Sequence, residues 1–152
     1  MLTVLKIRGV MPHEIEIELT ESAIETDSNK FLTIIKKLKE VGFLISIDDF
    51  GAGVSSLNRL SSVEADILKL DKAFFDIESQ GDKSKIVVAD VIRMTKNLNM
   101  KVVAEGVETV EQVVWLKAIG CDYAQGYYFD KPVNAEEFAN IIADQDRYIM
   151  AV

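Results

Sequence analysis

The sequence has one cysteine and one histidine among its 152 residues, and each shortage removes a class of chemistry. Cys121 alone allows no internal disulfide framework. His13, beside Pro12 in a predicted solvated loop, has no second histidine with which to build a zinc site, and no nucleophile elbow accompanies it for a Ser-His-Asp triad. The N-terminus lacks the apolar core and small-residue cleavage site of a secretory signal, and no apolar run is long enough to span a bilayer. A cytoplasmic protein without membrane contact is expected. Positive charge is also in short supply, with 17 Lys and Arg against 25 Asp and Glu and a net charge of -8. Lysines such as Lys36, Lys37 and Lys39 are scattered rather than gathered into the basic stripe that polymeric nucleic acid requires. An acidic protein still binds a small phosphate ester where divalent cations bridge carboxylates and phosphate.

About half of the residues, 49%, are apolar, enough for one ordinary core. Short β-branched segments recur at Glu14 to Thr20, Phe43 to Ile47, Asp66 to Leu70, Lys101 to Ala104 and Asp122 to Gln125, each followed by a stretch of helical period. Ser28 stands as N-cap before NKFLTIIKKLKEV, which Gly42 ends, while Thr109 with Gln112 and Asn134 with Glu137 form capping-box patterns. Leu2 to Val10 reads as the end of a crossover helix. Regular strand and helix alternation implies a parallel sheet, open and doubly wound or closed as a (β/α)8 barrel. Strand starts are about 27 residues apart, and eight such units need roughly 200 to 250 residues. The predicted fold class is therefore α/β, as about five βα units.

Polar groups stand at the C-terminal end of each predicted strand: Glu18 and Glu21, Asp48 and Asp49, Lys69, Glu105, and Gln125. Parallel βα folds collect their binding and catalytic groups at that end. Carboxylates converging on one mouth repel unless cations bridge them, and hard Mg²⁺ or Mn²⁺ suit oxygen ligands. Two such ions can bind a phosphodiester and activate water. Asp48 and Asp49, as strand neighbours, are expected to point different ways. Acidic groups at strand ends also serve helix N-termini, but an Asp pair followed by Phe-Gly-Ala-Gly suggests special backbone angles or close ligand approach. Lys69, inside DILKLD, would be poorly placed as an unpaired charge in a core. Cys121 reads as a packed thiol, and Trp115 and Met94 as helix-face packing.

The runs ELTES (18 to 22), DDFGAGVSSL (48 to 57), DILKLDKAF (66 to 74), VVAEGVET (102 to 109) and GCDYAQGYYFDKPV (120 to 133) resemble, in order and spacing, the later motifs of EAL-type cyclic-di-GMP phosphodiesterases. The resemblance implies a (β/α)8 TIM barrel that opens cyclic-di-GMP to linear pGpG with two divalent metals, Mg²⁺ or Mn²⁺. It implies metal ligation by Glu18, Asp48 and Asp49, with Asp48 shared. It implies that Lys69 orients the attacking water, that Glu105 is general base or second-metal partner, and that Gln125 lies near the metal-bound water. Glu108 matches the glutamate that holds the loop after the Asp pair, and that loop, Phe50 to Ser56, with the helix from Ser55, is expected to line a dimer contact.

Two departures qualify the match. Val54 stands where the family usually has an aromatic residue, and the tripeptide Glu-Ala-Leu that names the family does not occur in the sequence. That signature and an asparagine on the following strand, both first-metal ligands in the family, are expected upstream. Residues 1 to 152 are thus expected to form a single truncated domain, the C-terminal portion, with an incomplete first metal site. Alone it should be inactive or weakly active, and its open strand edges should favour a homodimer or a domain-swapped oligomer. The alternative is a non-catalytic EAL-like module that binds cyclic-di-GMP or a protein.

Overall fold

The computed structural model describes residues 2–20, 23, 29–51, 60, 62–75 and 77–143. Helix α1 (Leu2–Arg8) and a 3-10 turn (Pro12–Glu14) lead into strand β1 (Glu16–Thr20). Then follow α2 (Asn29–Val41), β2 (Leu44–Phe50), β3 (Ile67–Leu70), α3 (Lys72–Phe75), α4 (Ile77–Asn97), β4 (Lys101–Glu105), α5 (Val110–Ala118), β5 (Tyr123–Gln125) and α6 (Ala135–Ala143). All strands pair in parallel in the order β1-β2-β3-β4-β5. Sequential parallel order with helical crossovers is an arc of a (β/α)8 barrel, because a doubly wound sheet would reverse its strand order midway.

The helix signals act as their chemistry requires. Gly42, at φ 103°, ends α2 where a residue with a Cβ would be strained. Thr109 Oγ1 accepts from Gln112 N at 3.2 Å while Gln112 Oε1 accepts from Thr109 N at 3.2 Å, so the box at the start of α5 is closed. At α6, Asn134 Oδ1 accepts from the backbone N–H groups of Glu136 and Glu137, both at 3.0 Å. Ser28, Glu21, Gly53, Val54 and Ser55 lie outside the described residues.

Strand parity divides the sheet into two chemically distinct faces. Leu19, Ile45, Ile47, Leu68, Leu70, Val102 and Ala104 pack in one cluster with Ile35 of α2, Val88 and Ile92 of α4, and Val113 and Leu116 of α5. Each fully buried aliphatic side chain contributes about 1.5 to 3 kcal/mol, so this helix-facing layer holds the fold together. Trp115 and Met94 pack against the same cluster. The other face carries Glu18, Ser46, Asp48, Ile67, Lys69, Lys101, Val103, Glu105, Tyr123 and Gln125, as the pairing register requires. That is the face a barrel turns inward.

Some boundaries differ from expectation for identifiable reasons. Glu14 closes the 3-10 turn, where its carboxylate accepts from Met11 N at 2.7 Å, and so does not begin β1. His13 is an exposed residue of that turn. Strand β2 runs on to Phe50, beyond Ile47, because the polar pair Asp48-Asp49 is built into it as a bulge.

Candidate active site

The bulge decides where the aspartates point. Ile47 pairs with Leu68 and Phe50 with Leu70, so Asp48 and Asp49 together oppose Lys69 alone. Asp49 takes φ 56°, a left-handed conformation that a non-glycine residue adopts only where surroundings enforce it. This corrects the expectation that strand neighbours point apart. Carboxylate oxygens of Asp48, Asp49 and Glu105 lie within 4.8 Å of one another at the mouth. Gly51, two residues after Asp49, takes φ 101°, and a Cβ there would lie 2.4 Å from the Phe74 ring, itself edge-on to Phe50. Only glycine lets the chain turn away from the pair.

Lys69 crosses this mouth as its internal cation. Its Nζ lies 2.7 Å from Glu18 Oε1, 2.8 Å from Glu105 Oε1 and 3.1 Å from Asp48 Oδ1, so residues of β1, β2 and β4 converge on one lysine of β3. The side chain is only 12% exposed. Burial on its own lowers a lysine pKa, but the carboxylates of Glu105, Glu18 and Asp48 around the ammonium outweigh it and hold Lys69 above its ordinary value. Lys69 is cationic at every physiological pH.

The next loop is held from below. Glu108 Oε2 lies 2.7 Å from Lys72 Nζ of α3, and Glu108 N donates to Gln112 Oε1 at 2.8 Å. Val107 N donates to Gln125 O at 3.0 Å, which ties the end of β5 to the turn after β4. Gln125 stands opposite Glu105 in register and is exposed on the inward face. Cys121 is a packed thiol whose Sγ donates to Tyr123 O at 3.2 Å and Val102 O at 3.7 Å, and burial pushes its pKa up.

The family model for the EAL domain matches residues 2–132. The chain belongs to the EAL domain family. It is 41% identical over 129 residues to a protein of Escherichia coli K12 named probable cyclic di-GMP phosphodiesterase PdeB, covering 85% of this chain and 24% of that protein. Its fold matches the solved PaMucR phosphodiesterase in complex with c-di-GMP, with a TM-score of 0.82, 35% identity, and coverage of 90% of this chain and 56% of that one. It also matches Klebsiella pneumoniae BlrP1 in a manganese and cyclic-di-GMP complex, with a TM-score of 0.80, 35% identity, and coverage of 86% of this chain and 33% of that one. The chain spans between 16% and 24% of the length of the foremost curated relatives it matches.

The residues singled out from the EAL-like motifs gather as a group. Glu18, Asp48, Asp49, Lys69 and Glu105 share one mouth, and Gln125 stands beside it. Glu108 pairs with Lys72, and of the loop Phe50 to Ser56 that it was expected to hold, residues 52 to 56 lie outside the described residues. Two neighbours escaped the sequence reading, Lys72 and Ser46. Lys72 was visible only as one more lysine, three positions after Lys69. Ser46 was hidden inside an apolar strand, although it shares parity with Asp48.

A divalent cation fits this donor set. The groups within reach are anionic oxygens, which suit a hard ion, and Asp48 Oδ1 is buried with no hydrogen-bond partner among the described residues. Its closeness to the Lys69 ammonium is a charge contact that leaves its lone pairs available.

Proposed function

We propose that this chain carries the metal-dependent phosphodiesterase mouth of an EAL domain, which hydrolyses cyclic-di-GMP to linear pGpG. The observation that carries the reading is the convergence of Glu18, Asp48 and Glu105 on Lys69, with Asp49 turned into the same mouth by the bulge. A binding-only module has no need to hold a cation and a base-type carboxylate in contact at 2.8 Å.

Glu18, Asp48 and Asp49, with Glu105 in the same cluster, would hold divalent cations, Mg²⁺ or Mn²⁺. When bound, the ions neutralise the carboxylates and polarise the phosphodiester. The chain's own groups do the rest. The Lys69 ammonium donates to the attacking water and orients it toward phosphorus, and Glu105 accepts the proton that the water releases. Gln125 supplies an amide at the rim for the same water, and Glu108, braced by Lys72, steadies the loop that follows Asp49. Water adds to phosphorus, the P–O bond to the leaving ester oxygen breaks, and that oxygen takes a proton from solvent while the water's own proton rests on Glu105, which opens the ring.

The setting proposed for this activity is the cytoplasm; no described helix is long and apolar enough to cross a membrane. The same residues would act as one domain unit, 1 to 152, that pairs with a second copy as a homodimer or by exchange of elements. Exposed Phe138 and Ile142 on α6, and β1 and β5 as outer strands of the described sheet, support such association. Turnover by the chain alone should be weak, since five described strands supply only one wall of the mouth.

The test is conversion of cyclic-di-GMP to pGpG by the purified chain with Mg²⁺ or Mn²⁺, beside Glu105→Gln. Slow, metal-dependent product that the substitution lowers by about 10² to 10⁴ supports the reading. Product that persists unchanged in E105Q, or in excess chelator, overturns it.

A further inference from the structure

We infer that Ser46 positions Lys69 by leaving room for it: the small side chain forms the floor over which the lysine crosses from β3 to β1. This rests on the proposed reaction for its functional meaning, but its geometry stands independently.

Lys69 and Glu18 are joined at 2.7 Å although they stand on strands that are not neighbours. Adjacent strands are about 4.8 Å apart, so β1 and β3 are separated by roughly twice that distance and both side chains must lean over β2. The register places Ser46 level with Glu18 and Ile67, and Asp48 level with Thr20, with Lys69 opposite the bulge. The diagonal from Lys69 to Glu18 therefore passes between Ser46 and Asp48. Asp48 meets the ammonium itself at 3.1 Å, and Ser46 is what lies beneath.

Burial supports that placement. Ser46 is 0% exposed, although the face it occupies also carries the half-exposed Glu18 and the exposed Gln125. Its Oγ has no hydrogen-bond partner among the described residues. The Lys69 ammonium already faces the carboxylates of Glu18, Glu105 and Asp48, so its charge is met without the hydroxyl. What it needs from position 46 is space. Leucine or valine there would block the diagonal and turn the ammonium away from Glu18, leaving the carboxylates without their common cation.

The experiment uses the purified full chain in the series Ser46→Ala, Ser46→Val and Ser46→Leu, labelled with an amine-reactive ester and mapped by peptide mass spectrometry. Lys39, paired with Asp66, and Lys101, paired with Asp122, serve as internal reporters that the sheet is intact. The expected result is that Lys69 labels several-fold faster in S46V and S46L while Lys39 and Lys101 keep their wild-type rates, and that S46A protects Lys69 as serine does. In the cleavage assay, kcat should fall with the size of residue 46 while KM stays near its wild-type value. If S46L unfolds, all three lysines label together and S46V decides. Unchanged Lys69 labelling in a folded S46V overturns the inference, whereas altered labelling with no cleavage in any variant would leave the positioning intact and count against the reaction instead.

Discussion

Lys69 balances a mouth that would otherwise hold only negative charge. Its replacement by Met keeps the stem and removes the cation, leaving Glu18, Asp48 and Glu105 facing one another. The expected cost is about 1 to 3 kcal/mol, read as a lower urea midpoint, because the group is only 12% exposed yet opens on solvent through Glu18. The pH dependence has a definite sign. Because the folded state raises the pKa of Lys69 above its ordinary 10.5, its contribution is complete below that value and is lost only as pH rises through the folded one. Wild-type and K69M midpoints should therefore differ by a constant amount from pH 6 to about pH 9 as far as Lys69 is concerned, and converge only in strong alkali. A gap that closes near neutrality would mean that Lys69 is not the buried cation described. Much of this was legible in the residues themselves, since an unpaired lysine on a core strand demands a partner. Which carboxylates would meet it was not legible, because three strands had to be brought to one level first.

At the scale of elements, strand ends and their turns carry the geometry. The alternation of apolar segments with capped helices gave away every described strand, because burial against helices imposes a pattern that a sequence displays. The bulge in β2 was invisible for the opposite reason: it arises from pairing with β3, and nothing in IDDF distinguishes a straight strand from a bulged one. Gly126 illustrates the same limit. It has no left-handed φ, but a Cβ there would lie 2.1 Å from Val107 O and 2.2 Å from Val107 N, both backbone atoms that cannot yield. Gly126→Ala should cost about 1 to 3 kcal/mol and disturb Gln125 and Glu105 together, detectable as lower stability and lower cleavage in one variant. Wild-type stability in G126A would mean that the turn relaxes freely. At the opposite end of the sheet, Asp122 accepts from Val102 N at 3.1 Å and from Lys101 Nζ at 2.9 Å. Burial raises its pKa, but the Lys101 and Val102 hydrogen bonds and the Lys96 charge outweigh it, so the folded value falls below the ordinary 3.8. Its contribution is present above 3.8 and fades as pH falls through the folded value, so Asp122→Asn should narrow the acid-induced loss of stability in a pH series of urea melts. An identical acid limb in D122N would contradict that pairing.

For the whole molecule, the division of labour between faces explains how an acidic chain can gather its charged groups at one mouth. The helix-facing layer supplies the cohesion, which frees the inward face to carry four carboxylates around one lysine. Most of that inward set was readable from the motifs of the EAL family, residue by residue. Its arrangement, with Asp49 turned inward and Ser46 beneath the crossing lysine, needed the sheet. The most direct test of the account is a calorimetric Mn²⁺ titration of the purified chain beside Asp48→Asn and Glu105→Gln, since it reads the mouth without requiring turnover. The account predicts saturable Mn²⁺ binding that both substitutions weaken by at least about tenfold, with folding intact. Equal Mn²⁺ affinity in all three proteins would contradict it.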